Sequence, residues 1–119
     1  MKKLAMIRCL DVSMRCAGAG CMKNFNHRTG AFQRYEEEPA ELISLMTCNG
    51  CGHRLTQDEG LRKKLDRLAE EPVDAVHLSS CTRKKDKNNP DMKQECPVIT
   101  EMANYLIAKG VEVVRGTHH

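Results

Sequence analysis

Four short apolar runs, spaced so that helix-like segments fit between them, constrain this chain more than any other feature. They are Leu4–Leu10 (LAMIRCL), Leu42–Cys48 (LISLMTC), Ala75–Cys81 (AVHLSSC) and Val111–Arg115 (VEVVR). Runs this short and this continuously apolar suit strands of a parallel sheet covered on both faces. The intervening segments carry helix signals. Thr56-Gln57-Asp58-Glu59 has the spacing of a capping box, and Leu61, Leu65 and Leu68 follow on one helical face before Glu70-Glu71-Pro72 stops the helix. Cys96-Pro97 sets proline at a first helical position, with Ile99, Met102, Leu106 and Ile107 as the apolar stripe. Lys109-Gly110 then supplies a cationic last turn and a left-handed cap. The first helix is expected from Gly18 to about Arg28, with a second piece near Ala31–Tyr35.

The resulting βαβαβαβ order predicts a single three-layer α/β domain over residues 1–119, with a four-stranded parallel sheet and right-handed crossovers. Two helices on one face and one on the other give strand order 2-1-3-4. The stretch Thr82–Gln94 (TRKKDKNNPDMKQ) reads as a polar, turn-rich, mobile loop.

Composition narrows the function classes. The formal net charge is +3, too mild to imply nucleic acid, and four aromatic residues in 119 cannot build a base-stacking platform. No apolar run approaches the roughly 18 residues of a membrane span. Nor does a small-residue cleavage site follow the amino-terminal strand. The expected location is the cytoplasm.

Seven cysteines then stand out, because a reducing compartment disfavours structural disulfides and an odd count prevents complete pairing. Cys9, Cys48 and Cys81 sit at the ends of the first three strands. Cys16 and Cys21 lie in the first loop, Cys51 in the second, and Cys96 at the last helix's N-cap. All strand ends of a parallel sheet point one way, so all seven are expected on one rim, the one where open α/β sheets bind ligands. His118, just past the last strand, joins them. Strands lie about 4.8 Å apart, so side chains from three adjacent ends can approach a common centre. Helix N-termini point at the same rim and favour thiolate over thiol.

Individual motifs are weaker. Cys48-Asn-Gly-Cys51 is a C-x2-C that suits a shared metal or a disulfide. Cys16 and Cys21 lie in a glycine-containing loop that opens a helix, and Cys21 can pack simply as a small apolar side chain on that helix. Cys9…Arg15 and Cys48…Arg54 both match the C-x5-R spacing of oxyanion loops, but Asp11 spoils the first and Cys51 intrudes in the second. His53 is placed to complete a ligand set, His77 reads as a core residue, His27 as solvent-facing, and His119 as a tag stub. The run Arg83-Lys84-Lys85-Asp86-Lys87 is a solvated loop that, following Cys81, is also placed to draw in an anion.

The ordered pieces Arg8-Cys9, Cys16…Gly20-Cys21, Gly30-Ala31-Phe32, Thr47-Cys48, Cys51, His77-Leu78-Ser79-Ser80-Cys81, Cys96-Pro97 and Gly116-Thr117-His118 resemble the CGGC-domain family, small prokaryotic proteins named for a Cys-Gly-Gly-Cys centre. The chain departs at that centre, where Asn49 stands for the first glycine. The resemblance implies a zinc-binding role carried by cysteines and histidines, and no particular reaction.

The leading expectation is therefore a metal, Zn²⁺, or alternatively an iron–sulfur cluster, held at the carboxyl rim of the sheet. Cys48, Cys51, Cys9 and Cys81 are the first-choice ligands, with Cys16, Cys21, Cys96 and His118 next. The alternative is a metal-free thiol/disulfide oxidoreductase or oxyanion reductase. Its nucleophile would be Cys48 or Cys9, its resolving thiol Cys51 and its anion clamp Arg54 or Arg15. A third reading is a carrier or sensor that passes metal onward. The expected partners are a metal ion, a small anionic ligand and a redox partner protein, with neither nucleic acid nor membrane.

Overall fold

Strand β1 (Lys2–Arg8) shows why the chain folds as it does, because its Leu4, Ala5, Met6 and Ile7 are all fully buried. Successive side chains of a strand face opposite ways, so a strand buried throughout needs cover on both sides. Leu4 and Met6 face one layer with Phe25, Phe32, Tyr35 and Val114, while Ala5 and Ile7 face another with Leu61, Leu65, Ile99, Met102 and Leu106. The computed structural model describes residues 1–85, 88, 89 and 91–117, with the side chain of Lys85 left out. His118 and His119, and Asp86 and Lys87 of the basic run, lie outside the described residues.

β1 pairs in parallel with β2 (Ala40–Thr47) on one side and β3 (Ala75–Leu78) on the other. Beyond β3 lie two short strands, β4 (Arg83–Lys85) and β5 (Lys93–Glu95), and then β6 (Glu112–Arg115), which pairs in parallel with β3. The main sheet runs β2-β1-β3-β6, the order expected from the crossover argument. One turn of helix, α1 (Leu10–Ser13), follows β1 and has no sequence signal beyond its length. Helix α2 (Ala19–His27) and the 3-10 turn Gly30–Tyr35 cover the Leu4 and Met6 face. Helices α3 (Glu59–Glu70) and α4 (Pro97–Ala108) cover the other.

Two expectations need correction. Helix α3 starts two residues later than the Thr56 capping box implies. Its N-cap is Asp58, whose Oδ1 accepts the Leu61 amide at 3.0 Å while its Oδ2 is held by Asn49 Nδ2 at 2.9 Å. A carboxylate so braced satisfies an orphan amide better than an unbraced hydroxyl. Leu61, Leu65 and Leu68 are then buried as the periodicity predicts, each contributing roughly 1.5–3 kcal/mol.

The polar stretch Thr82–Gln94 is no plain loop. β4 and β5 form an antiparallel ribbon in which Arg83 pairs with Glu95 and Lys84 with Gln94. Its base is fixed by the Cys96 amide donating to the Thr82 carbonyl at 3.0 Å and by Arg115 on Glu95 at 2.9 Å. A ribbon held by backbone bonds and an ion pair needs no apolar alternation, which is why its sequence reads as loop.

Candidate functional site

Two cysteine sulfurs reach the backbone of a third cysteine and its neighbour where β1 ends. The ladder on either side of β1 runs past the strands, with the Cys48 amide donating to the Arg8 carbonyl at 3.1 Å and the Ser79 amide to the Ile7 carbonyl at 2.9 Å. The chain then leaves the sheet, and Cys9 is extended as the N-cap of α1. Its amide donates to Cys81 Sγ at 3.4 Å, and the next amide, Leu10, donates to Cys48 Sγ at 3.3 Å. Sulfurs from the two flanking strands thus sit on consecutive amides of the central one. An amide hydrogen aimed at sulfur complements negative charge there. Cys9 and Cys48 are 5 % and 4 % exposed, and Cys81 is half-buried.

Lys84, carried in by the ribbon, adds a cation. Its Nζ lies 4.0 Å from Cys51 Sγ. Negative charge at Cys9 foremost, then at Cys51, Asp11 and Cys96, holds the Lys84 ammonium above the ordinary lysine range against partial burial. One positive charge therefore stands beside Cys51 and within electrostatic reach of Cys9 and Cys96. Lys84 also borders a cleft of about 540 Å³ whose walls include Cys51, Cys96, Arg54, Pro97 and Val98. Cys51 is exposed and Cys96 half-buried.

The other two thiols lie apart. Cys21 is buried on the α2 face, hydrogen-bonded to Ser79 Oγ at 3.2 Å and Thr117 Oγ1 at 3.3 Å. Cys16 is exposed, and its sulfur accepts the Gly18 amide at 3.4 Å. All seven cysteines are free thiols on the carboxyl side of the sheet, but they divide between its faces and do not crowd together as expected. Among the described residues no three Cys, His, Asp or Glu side chains close on one metal-sized point.

Neither arginine of the C-x5-R matches faces an anion site. Arg15 is engaged by Asp11 at 3.3 Å, and Arg54 forks onto Glu101 at 3.1 and 2.7 Å. His53 pairs with Asp58 at 3.3 Å. His27 is exposed. His77 is fully buried, as expected of a core residue, with Phe32 stacked at 4.4 Å. The Gly116 carbonyl can only accept, so Nδ1 carries the proton that reaches it at 3.0 Å, and Nε2 accepts from Tyr35 Oη at 2.9 Å. Burial, above all, holds the His77 pKa below 6.5.

Asn49, the departure from the glycine pair, has structural work. Besides holding Asp58, its carbonyl oxygen accepts from Lys64 Nζ, which also donates to the Thr47 carbonyl at 3.1 Å. The loop's left-handed turns fall instead at Gly50 and Gly52, with φ of 109° and 85°. Ser79 and Thr117, which fall within the pieces that carry the family resemblance, and Thr82 shape the rim from the β3 and β6 ends, a role that sequence reasoning does not assign to them. Their placement follows only once the strand ends are aligned.

The CGGC domain matches residues 3–118. The chain is also similar to the uncharacterized protein MJ0582 of Methanocaldococcus jannaschii, with 34 % identity over 125 residues, covering 98 % of this chain and 86 % of the relative. No solved structure matches. No helix among the described residues is long and apolar enough to cross a membrane.

Proposed function

The chain belongs to the CGGC-domain family, and on that premise we propose that it binds a soft metal ion, zinc, through the thiolates of Cys9, Cys48 and Cys81. The observation that carries this reading is the pair of amide-to-sulfur bonds at Cys9 and Leu10, which brings the thiols of Cys81 and Cys48 from the two flanking strands to the backbone of Cys9 and Leu10. By donor type the set fits, since soft thiolates select zinc or iron–sulfur chemistry over magnesium or calcium. By spacing it is open, so loading must draw the sulfurs inward to the roughly 2.3 Å of a zinc–sulfur bond. Bound zinc would supply a fixed positive charge tying the three strand ends together. Three thiolates would satisfy three of its four positions, and we assign the fourth to His118 of the second rank of expected ligands, because Cys51 lines the outer cleft.

Cobalt titration tests the reading, because tetrahedral thiolate ligation gives intense visible and charge-transfer absorption. The wild-type protein should bind about one equivalent of cobalt that zinc displaces. Cys48→Ser and Cys81→Ser should each weaken binding roughly 10-fold or more, while Cys16→Ser should leave it unchanged. Undiminished binding in the Cys48→Ser/Cys81→Ser double variant would overturn the assignment.

A further inference from the structure

The cleft beside Lys84 lies outside the strand-end thiols and has features of its own. Cys51 and Cys96 are on its wall, Pro97 and Val98 give it an apolar side, and Lys84 Nζ stands 4.0 Å from Cys51 Sγ. The neighbouring charges cancel in pairs. Arg54 is taken by Glu101, and Glu95 by Arg115. Lys84 makes no ion pair with any described carboxylate, so among the described residues it gives the cleft its positive charge. Exposure matters too. Cys9 and Cys48 are buried, and Cys51 is the thiol of this group that a solute meets first.

From this geometry we infer that Cys51 is a reactive thiol for anionic low-molecular-weight disulfides, with Lys84 attracting the anion and Cys96 resolving the product. The Cys51 thiolate attacks one sulfur of the small disulfide. The S–S bond breaks, one small thiolate leaves with the electron pair and takes a proton from water, and a mixed disulfide remains on Cys51. The Cys96 thiolate then attacks Cys51 Sγ, expelling the second small thiolate and forming a Cys51–Cys96 disulfide. Two protein thiols are oxidised by two electrons, and one small disulfide is reduced to two thiols. This assignment reverses the sequence-based one, in which Cys51 was the resolving thiol, because burial shields Cys9 and Cys48.

The test uses the full chain with Cys16→Ser, which removes the other exposed thiol, in zinc-free and zinc-loaded forms. The probes are dianionic dithiobis(nitrobenzoate) and neutral dithiodipyridine, followed by stopped flow and mass spectrometry. The expected result is a fast phase with the dianion that Cys51→Ser abolishes and zinc loading leaves in place. Lys84→Glu should slow the dianion by about 10-fold or more and the neutral probe by less than about 3-fold. Cys96→Ser should accumulate the Cys51 mixed disulfide, which the parent converts to a protein disulfide. A fast phase that survives Cys51→Ser, or equal slowing of both probes by Lys84→Glu, would overturn the inference. So would a mixed disulfide as stable in the parent as in Cys96→Ser. Loss of the phase on zinc loading would also overturn it, by placing Cys51 among the metal ligands while leaving the metal reading intact.

Discussion

The amide of Cys9 donates to the sulfur of Cys81 at 3.4 Å, joining residues 72 positions apart at the ends of neighbouring parallel strands. Serine can accept the same amide hydrogen, although it is a poor ligand for a soft metal. Cys81→Ser should therefore fold, with metal-free stability within about 1 kcal/mol of wild type, and bind zinc roughly 10-fold or more weakly. Chemical denaturation of the metal-free proteins, set beside competitive zinc titration, checks both halves.

Lys84 lies within electrostatic reach of Cys9, so its positive charge opposes a divalent ion bound there. Two like charges a few ångströms apart at a protein surface repel by on the order of 1–4 kcal/mol before salt screening. Lys84→Gln should therefore tighten zinc binding by about 5-fold or more at low salt, with a smaller gain at high salt. Isothermal titration at two ionic strengths measures the effect, and weaker binding in the variant would contradict it.

Much of this arrangement is legible in the residues. The strand order follows from right-handed crossovers that lay two helices on one face of a parallel sheet and one on the other. The rim location of Cys9, Cys48 and Cys81 follows from the same topology. What does not follow is the face each thiol takes beyond its strand. Cys21 turns into the α2 layer with Ser79 and Thr117, while Cys48 joins the α3 and α4 layer, and neither choice is set by strand alternation. Lys84 reaches the thiols only because a polar segment pairs as a ribbon, which no hydrophobic period announces. The start of α3 depends on Asn49 reaching Asp58 across the second loop, a contact that local capping rules do not see.

His77 predicts a pH dependence with a definite sign. Burial, foremost, lowers its folded-state pKa below the 6.5 of the unfolded chain, with Arg34 lowering it further and Glu112 and the Gly116 carbonyl opposing. Between the two values the unfolded state holds the extra proton. Stability is thus full above about pH 6.5 and falls as pH drops below it, by up to about 1.4 kcal/mol per pH unit, until the folded-state ring protonates too. Denaturation midpoints from pH 7.5 to 5 should show this decline, and His77→Gln should flatten it.

Tyr35→Phe removes the only described donor to His77 Nε2 and leaves a buried acceptor unpaired. The expected cost is about 1–3 kcal/mol. The metal-site thiols do not touch this pair, so zinc affinity should be unchanged, and a change in affinity without a loss of stability would count against the structure.

Asn49→Gly restores the family's glycine pair in sequence while removing both the Asp58 brace and the Lys64 contact. Asn49 is not among the residues with positive φ, so glycine gains no backbone relief. Stability should fall by about 1–2 kcal/mol. Its effect should be less than additive with Asp58→Ala, since both substitutions break one contact.

The central claim is that this rim of thiols holds a soft metal, and elemental analysis with a parallel free-thiol count tests it most directly. Tag-free protein purified without oxygen or chelator should carry about one zinc per chain, and the half-buried Cys81 should react with reagent only after chelator is added. Iron with acid-labile sulfide would keep the site and change its chemistry to electron transfer. Metal-free protein whose thiol reactivity is unchanged by chelator, and no uptake of added zinc, would contradict the account.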